Sequence, residues 1–309
     1  MTFRPLGDRP LLSVASLKRL LTSFSLVGLL SGCIVVEEPP TSSAPTAPSG
    51  QTTQPAPSPG NAARTLPAQT PQAIKGTGRM KVVYYPVKNP MSQAMKDIYQ
   101  KTQIFERMSA LIDSDIKLPR QVTVELAECG FENAFYEPAK HRIVVCYELT
   151  RYFINLYRKL GLSDREAGEK AMFATVFTFF HEAGHMLTNE LELPITGREE
   201  DAADQFSTII LAERAGEAGE KAAEAAALWF GAADSPATRT RFMDEHSLDQ
   251  QRFYAIMCLL YGNNPQKYGR TATQLGFQET RKAKCQREYA QVSRSWKALL
   301  APHVRNSRS

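Results

Sequence analysis

Hydrophobic and polar residues follow two periods along this chain, and each period predicts one kind of element. A period of two, in which alternate side chains share a face, predicts strands over residues 80–85 and 121–127. A β-hairpin is predicted over residues 135–146, with its turn at 137–140. These segments are few and short, so we expect one small sheet.

A spacing of three to four residues between apolar positions predicts helices through most of the remaining chain. Ser163 and Glu166 form a capping-box pattern that begins the longest of them. An interruption at 215–219 separates a second amphipathic helix from further helical segments. A small sheet followed by many helices is typical of the α+β class. The predicted helices are residues 89–113, 147–160, one from Ser163 through residue 185, one around Phe206, and 279–300.

The long helix ends in a His-Glu-Ala-Gly-His stretch over residues 181–185. His181 and His185 are four residues apart, so both imidazoles lie on one face and can supply two nitrogen ligands to a tetrahedral zinc ion. Glu182 lies beside the first ligand, within reach of a water molecule on the metal. This His-Glu-x-x-His pattern is typical of zinc peptidases. The alternative is a helix face with two solvated histidines.

A catalytic zinc site needs a third protein ligand. The metzincin pattern is excluded because Thr188 and Leu191 occupy the positions where it requires Gly and His. The next helix carries Glu200 and Asp204, which share a face. We predict that Glu200 completes the ligand set and that Asp204 accepts the second N–H of a liganding histidine. The alternatives are Glu199 as the ligand, or acids that favour a helix N-terminus.

Two resemblances extend this interpretation. The Glu-x-x-Ala-Asp pattern after the histidine motif resembles the gluzincin metallopeptidases, and Asn133-Ala134 followed by two aromatic residues resembles the substrate-binding edge strand of thermolysin-like enzymes. By this resemblance, Asn133 and Ala134 would pair with the backbone of an extended peptide. The alternative is an ordinary hairpin with no role in substrate binding.

The globular part as a whole resembles the bacterial metallopeptidase family known as domain of unknown function 4344. That resemblance implies a zincin-like fold, with a small mixed β-sheet, an active-site helix that carries the histidine motif, and a mostly helical C-terminal half. It implies no particular substrate. The matching positions are Cys129, residues 132–136, residues 146–148, the two motif helices, His246, Arg252 and Cys258.

The expected chemistry is hydrolysis of a peptide bond with one zinc ion per chain. Zinc would polarise the scissile carbonyl and acidify its bound water, from which Glu182 would take a proton. In thermolysin-like enzymes a downstream His or Tyr stabilises the transition state, and by this resemblance His246 is the first candidate from its place along the chain, ahead of Tyr254 and Arg252. The alternative for His246 is a surface histidine without a catalytic role.

The first 32 residues have the pattern of a lipoprotein signal peptide. A basic segment precedes an apolar run over residues 20–30, and small residues then precede Cys33, which we expect to be lipidated. Nine of the 19 prolines lie in residues 39–71, so residues 33–79 are expected to form a linker without a packed core. Residues 80–309 would form the metallopeptidase domain. The alternative to lipidation is a short membrane anchor.

These features predict a protein of the bacterial cell envelope. It would be anchored in the membrane through the lipid on Cys33, on the periplasmic face of the outer membrane. The formal charge of the whole chain is +5, and the signal segment carries four basic residues and one acid. The mature chain therefore has a net charge of about +2, which is too small to indicate nucleic-acid binding.

Export to an oxidising compartment favours two disulfides among the remaining cysteines. Of the three possible pairings, we expect the sequence-local one, which joins Cys129 to Cys146 and Cys258 to Cys285. Metal ligation by the thiols is the alternative.

The leading functional hypothesis is a zinc peptidase that acts on a peptide or protein substrate. The alternatives are a non-catalytic envelope lipoprotein that binds metal or a partner, and a hydrolase of a non-protein amide such as a cell-wall cross-link. Glu182 favours catalysis, because a protein that only binds metal has no need of it.

Overall fold

Four short strands form one mixed sheet in the order β1-β2-β4-β3. Strands β1, β2 and β4 run parallel, and β3 is an edge strand antiparallel to β4. The side chains of Val122, Val124 and Leu126 are fully buried on one face of β2, as their alternation predicts. The strands are β1 (Met80–Tyr84), β2 (Val122–Ala127), β3 (Ala134–Glu137) and β4 (Arg142–Cys146).

The computed structural model describes residues 77–233 and 246–305. The expected signal segment, Cys33 and nearly all of the expected linker lie outside the described residues. Among the described residues, no helix has the length and apolar character needed to cross a membrane.

Helices make up most of the described chain, and the α+β class expected from the sequence is confirmed. Single-turn 3-10 helices follow β3 and the last α-helix. The α-helices are α1 (Pro90–Thr102), α2 (Ile104–Asp115), α3 (Tyr147–Lys159), α4 (Asp164–Glu190), α5 (Glu199–Arg214), α6 (Gly216–Ala232), α7 (Asp249–Asn263), α8 (Pro265–Gln274) and α9 (Glu279–Leu300).

One helical prediction was wrong in detail. The single helix expected over residues 89–113 is two helices, because Gln103 adopts a left-handed conformation with φ of 52°. The hydroxyl of Thr102 donates back to the carbonyl of Ile98, which helps to satisfy the end of α1. The break changes the direction of the chain, so that Tyr99 of α1 and Phe105 of α2 are both fully buried and pack edge to face.

Helix α4 lies at the centre of the fold, in contact with α3, α5, α6 and the edge strand β3. It begins at the capping box that the sequence predicts: Ser163 accepts from the backbone N–H of Glu166, whose carboxylate accepts from Ser163 N–H. Its second half is buried nearly all round, including His181 and Glu182. Buried polar side chains of such a helix need hydrogen-bond partners, and β3 and α5 supply these partners.

Two disulfides join Cys129 to Cys146 and Cys258 to Cys285, the pairing expected from the sequence. The first ties the loop before β3 to the end of β4. The second joins α7 to α9. The carboxylate of Glu148 accepts from the backbone N–H groups of Cys129 and Gly130, so this loop is held by a disulfide and two hydrogen bonds.

Candidate metal centre

The two motif histidines lie side by side near the end of α4. Their Nε2 atoms are 3.3 Å apart and their rings meet edge to face. His181 is buried, while the side chain of His185 is 15% exposed. The helical spacing of four residues produces this arrangement, as the sequence predicts.

Helix α5 brings a carboxylate to the same point. After α4 the chain turns through residues 191–198, and Glu200 lies in the first turn of α5. Its Oε2 is 3.1 Å from Nε2 of His181, and its Oε1 is 3.3 Å from Nε2 of His185. The structure therefore brings together the three residues that the sequence singled out as ligands.

A close approach of α4 and α5 allows Glu200 to contact the two histidines. A Cβ added to Gly184 would lie 3.0 Å from Cα of Ala203 on α5, which is tighter than ordinary van der Waals contact. Glycine at this position lets the two backbones approach closely. The hydroxyl of Ser207, also on α5, donates to the carbonyl of Phe177 on α4 and adds a second link.

The donor set fits a tetrahedral metal ion. Ligand atoms about 2.05 Å from a tetrahedral centre are separated by roughly 3.3 Å. The two imidazole Nε2 atoms are 3.3 Å apart, and the carboxylate of Glu200 faces both of them, with Oε2 3.1 Å from His181 and Oε1 3.3 Å from His185. Two imidazoles and one carboxylate are a ligand set used in catalytic zinc sites, which leave a further position open.

Each histidine is oriented through its other ring nitrogen. Nδ1 of His181 lies 2.9 Å from Oδ1 of Asp204, and Nδ1 of His185 lies 2.7 Å from Oε1 of Glu199. An ionised carboxylate can only accept, so each Nδ1 carries a proton, and Nε2 is the nitrogen that could bind a metal ion after it loses its own proton. Asp204 was predicted in this position. Glu199 was considered from the sequence only as an alternative ligand, and its contact with His185 is a finding of the structure.

Asp204 is in turn held by Arg252 of α7. The guanidinium donates to both carboxylate oxygens at 2.7 Å and stacks over the ring of Phe230 at 3.9 Å. Burial acts to raise the pKa of Asp204, but Arg252 and His181 outweigh it and lower that pKa to about 2. Asp204 is therefore a charged acceptor over the whole physiological range.

The electrostatics of the centre favour charged carboxylates facing the imidazoles. Burial disfavours the imidazolium form of His181, yet its bonds to Asp204 and Glu200 prevail and raise its pKa to about 9. Burial also opposes the charge on Glu200, but the two histidines hold its pKa well below the usual range. Negative oxygen atoms at this point attract positive charge, which suits a cation site.

The side chain of Glu182, also on α4, faces the same region. Among the described residues, it forms no hydrogen bond with His181, His185 or Glu200. Its Oε2 accepts from the backbone N–H of Tyr136 on β3 at 2.9 Å. The residue is 7% exposed, and burial raises the pKa of its carboxyl, against the opposing influence of His181 and His185. A raised pKa brings a carboxylate closer to the range that a general base needs.

A cavity of about 340 Å³ opens beside the centre. Its polar lining includes His181, Glu182 and Arg252. Large apolar side chains from α3, α4 and α6 also line it. Cavities of this size and mixture are typical of small ligand sites. The large apolar lining residues are Leu149, Tyr152, Phe177, Trp229 and Phe230.

The model of the DUF4344 family, described as "Putative metallopeptidase", matches residues 84–300. The chain belongs to this family. The match covers every residue of the candidate centre. The chain matches no curated protein and no solved structure.

His246 also lies at the edge of the candidate metal centre. Its Nε2 is 3.2 Å from Oε2 of Glu200, and its side chain is 39% exposed. It is not one of the three residues whose donor atoms all converge, so it stands beside the ligand set. Two neighbouring contacts hold its segment at the start of α5: Arg198, the residue before the helix, donates to the carbonyl of His246, and Ser247 donates to Asp201.

The edge strand β3 presents its free side to the cavity. The carbonyl of Asn133 accepts from Cys146 N–H in β4, and the N–H of Tyr136 points the other way to Glu182. Because backbone groups alternate in direction along a strand, those of Ala134 point to the same free side as those of Tyr136. The side-chain oxygen of Asn133 accepts from Ala134 N–H at 3.0 Å.

Proposed function

We propose that this metallopeptidase-family chain is a zinc-dependent peptide-bond hydrolase of the gluzincin type. The observation that carries the proposal is the convergence of the donor atoms of His181, His185 and Glu200 within 4.8 Å of one another, next to the buried carboxylate of Glu182. His181, His185 and Glu200 would hold one zinc ion. When bound, the ion would supply a Lewis acid that polarises the scissile carbonyl and acidifies a water molecule.

Glu182 would serve as the general base. Tyr136 N–H holds one of its carboxylate oxygens, which leaves the other to take a proton from the attacking water and return it to the leaving nitrogen. The exposed imidazole of His246 would donate to the oxygen on which negative charge develops. Arg252 is committed to Asp204 by two hydrogen bonds, which makes it a weaker candidate for that task.

The free side of β3 would hold the substrate. Ala134 can pair with an extended peptide through its backbone, and Asn133 covers its N–H until a peptide replaces that contact. The large apolar side chains that line the cavity favour a substrate with a bulky apolar side chain near the scissile bond. This geometry supports a peptide or protein substrate.

We further propose that the chain acts at the bacterial cell envelope, lipid-anchored through Cys33 on the periplasmic face of the outer membrane. The support is the signal pattern of residues 1–32, the Cys that follows it, and the proline-rich segment that would tether the domain. The two disulfides are consistent with an oxidising compartment.

Metal content tests the ligand set directly. The soluble domain starting at Arg79, together with its Glu200→Ala and Glu199→Ala variants, would be purified, reloaded with zinc and analysed by inductively coupled plasma mass spectrometry. We expect one zinc per chain in the parent and in Glu199→Ala, and a loss or strong weakening in Glu200→Ala. A parent without zinc after reloading would overturn the site and favour a non-catalytic binding protein.

Catalysis needs a separate test. Glu182→Gln keeps the size of the side chain but removes the base, so it should retain zinc and lose hydrolysis of a broad peptide library by at least about 100-fold. A parent that hydrolyses no peptide, or a Glu182→Gln variant as active as the parent, would contradict the peptidase proposal. Release of products from cell-wall fragments, but not from peptides, would identify a hydrolase of non-protein amides.

A further inference from the structure

Tyr136 of β3 is attached to two carboxylates of the same helix. Its backbone N–H donates to Oε2 of Glu182 at 2.9 Å, and its phenol donates to Oε1 of Glu190 at 2.7 Å. Glu182 and Glu190 are eight residues apart on α4, which is about 12 Å along the helix axis and slightly more than two turns. One residue of the edge strand thus spans two glutamates on one face of α4.

Glu190 is held from three directions. Its side chain is only 1% exposed, and besides the phenol it contacts Nδ1 of His141 at 2.6 Å and Nε of Arg120 at 3.3 Å. His141 follows the turn between β3 and β4, and Arg120 precedes β2. A buried carboxylate with these partners is costly to displace, so it provides a rigid anchor. Glu190 does not line the cavity, and the proposed chemistry does not use it.

The strand needs such an anchor because it is an edge strand. On one side β3 pairs with β4, and on the other side it faces α4 and the cavity. A shift of β3 along α4 would move the N–H that fixes Glu182 and, two residues away, the backbone groups of Ala134. Both the base and the substrate edge therefore depend on the position of one residue, Tyr136.

We propose that Tyr136 and Glu190 are positioning residues for the reaction. The bond from the Tyr136 phenol to Glu190 sets the position of β3 along α4, and this in turn orients the Glu182 carboxylate and aligns Ala134 with it. The catalytic consequence of this inference rests on the proposed function. The attachment of β3 to α4 through Tyr136 and Glu190 can be measured even if the protein hydrolyses no peptide.

Tyr136→Phe removes the phenol and keeps the backbone N–H, and Glu190→Gln keeps one acceptor oxygen for the phenol while it removes the charge. Tyr157→Phe is a matched control, because its buried phenol donates to the carbonyl of Ala225 away from the centre. All variants would be examined by hydrogen–deuterium exchange of residues 134–137, by zinc content, and by steady-state kinetics with the best library peptide.

We expect faster exchange in residues 134–137 and a kcat lower by about 10- to 100-fold in Tyr136→Phe, since misplacement on the order of 1 Å has effects of this size. Zinc content should stay at one per chain, because the three proposed ligands are unaltered. KM should rise by a smaller factor than kcat falls, because only the Ala134 edge of the binding site is displaced. Glu190→Gln should have a milder effect of the same kind. Tyr157→Phe should lower stability without changing either kcat or exchange in this strand.

Exchange and kcat equal to the parent in Tyr136→Phe, at full zinc content, would overturn the inference. So would an equal fall of kcat in Tyr157→Phe, since a general loss of stability would then explain the effect. If the parent hydrolyses no peptide, the proposed function fails, and hydrogen–deuterium exchange of β3 then tests the positioning role by itself. Faster exchange in Tyr136→Phe would show that the bond from the phenol to Glu190 holds β3 on α4, and unchanged exchange would reject this.

Discussion

At the scale of single residues, the centre is built from carboxylates with different surroundings. Asp204 is buried, bonded to His181 and paired with Arg252, whereas Glu199 is half exposed where it contacts His185. An exposed contact is screened by water and contributes little, but a buried one is costly to break. The two histidines are therefore oriented by partners of unequal strength.

This inequality leads to a prediction. Asp204→Asn should weaken zinc binding by about 10- to 100-fold, the range found when partners of metal-binding histidines are removed. It should also destabilise the metal-free domain by on the order of 3 kcal/mol, because Arg252 is left buried beside a neutral amide. Glu199→Gln should cost less than tenfold in affinity and leave stability nearly unchanged. Competition with a chromophoric chelator and urea unfolding measure both quantities, and equal effects of the two variants would contradict the prediction.

Residue roles differ in how far the sequence predicts them. The spacing of His181, Glu182 and His185 on one helix places them together in any fold that keeps the helix. The contact of Glu199 with His185 depends on how α5 approaches α4, and spacing along α5 does not specify it. Arg252 lies 48 residues beyond Asp204, so their pairing is equally a property of the folded chain.

At the scale of elements, the distance between α4 and α5 controls the centre. Gly184 and Ala203 meet at a close contact between the helices, and the candidate ligands of the two helices lie within one turn of it. Small residues at a helix crossing permit a short distance between axes, and a larger side chain would push the helices apart. The glycine inside the motif is thus part of the geometry of the centre.

A glycine comparison on one helix tests this. Gly184→Ala should lower zinc affinity, since α5 must move by a few tenths of an ångström to accept the new methyl group. Gly168→Ala, also on α4, meets no atom within 4 Å, and it should leave zinc binding unchanged while stabilising the helix by roughly 0.5–1 kcal/mol. Zinc affinity and thermal unfolding would be measured for both. Parent-like affinity in Gly184→Ala would show that the close contact is not needed.

The break between α1 and α2 shows where periodicity fails to predict an element. Apolar residues continue through the break with helical spacing, and Gln103 is not a residue type that marks a left-handed turn. The burial of Tyr99 and Phe105 in the same core compensates for the unfavourable conformation. Such a break is decided by packing between distant parts of the chain.

At the scale of the whole molecule, a metal ion would connect α4 with α5, while the disulfides tie the loop before β3 and the C-terminal helices. A ligand that binds only the folded state stabilises it in proportion to the logarithm of its free concentration. If the centre binds zinc, each tenfold increase in free zinc above the dissociation constant should raise the free energy of unfolding by about 1.4 kcal/mol.

Calorimetry in zinc-buffered solutions measures this dependence as a rise in Tm. Glu200→Ala is the control and should show little dependence on zinc. A Tm of the parent that does not change with free zinc would contradict a zinc site that is coupled to folding. Chelation should return the parent to the stability of the zinc-free domain.

The two disulfides should differ in their functional effect. Their sequence separations are 17 and 27 residues, so the loss of either should destabilise the domain by about 3–4 kcal/mol in the chain-entropy description. Replacing Cys129 and Cys146 by serine should also reduce hydrolysis, because the loop that carries Asn133 is freed. Replacing Cys258 and Cys285 should affect stability alone. Urea unfolding and peptide assays measure these effects, and equal loss of activity in both variants would contradict the distinction.

The sequence by itself determined the features that depend on short spacings: the helical pair of histidines with Glu182, the capping box at Ser163, the alternating strands and the α+β class. It also indicated Glu200 and Asp204, because both lie on one face of the next helix. Only the tertiary structure decided that Glu199 faces His185, that Arg252 neutralises Asp204, and that Tyr136 joins Glu182 to Glu190. Periodicity specifies which residues share a face of one element, whereas contacts between elements follow from the packing of the whole core.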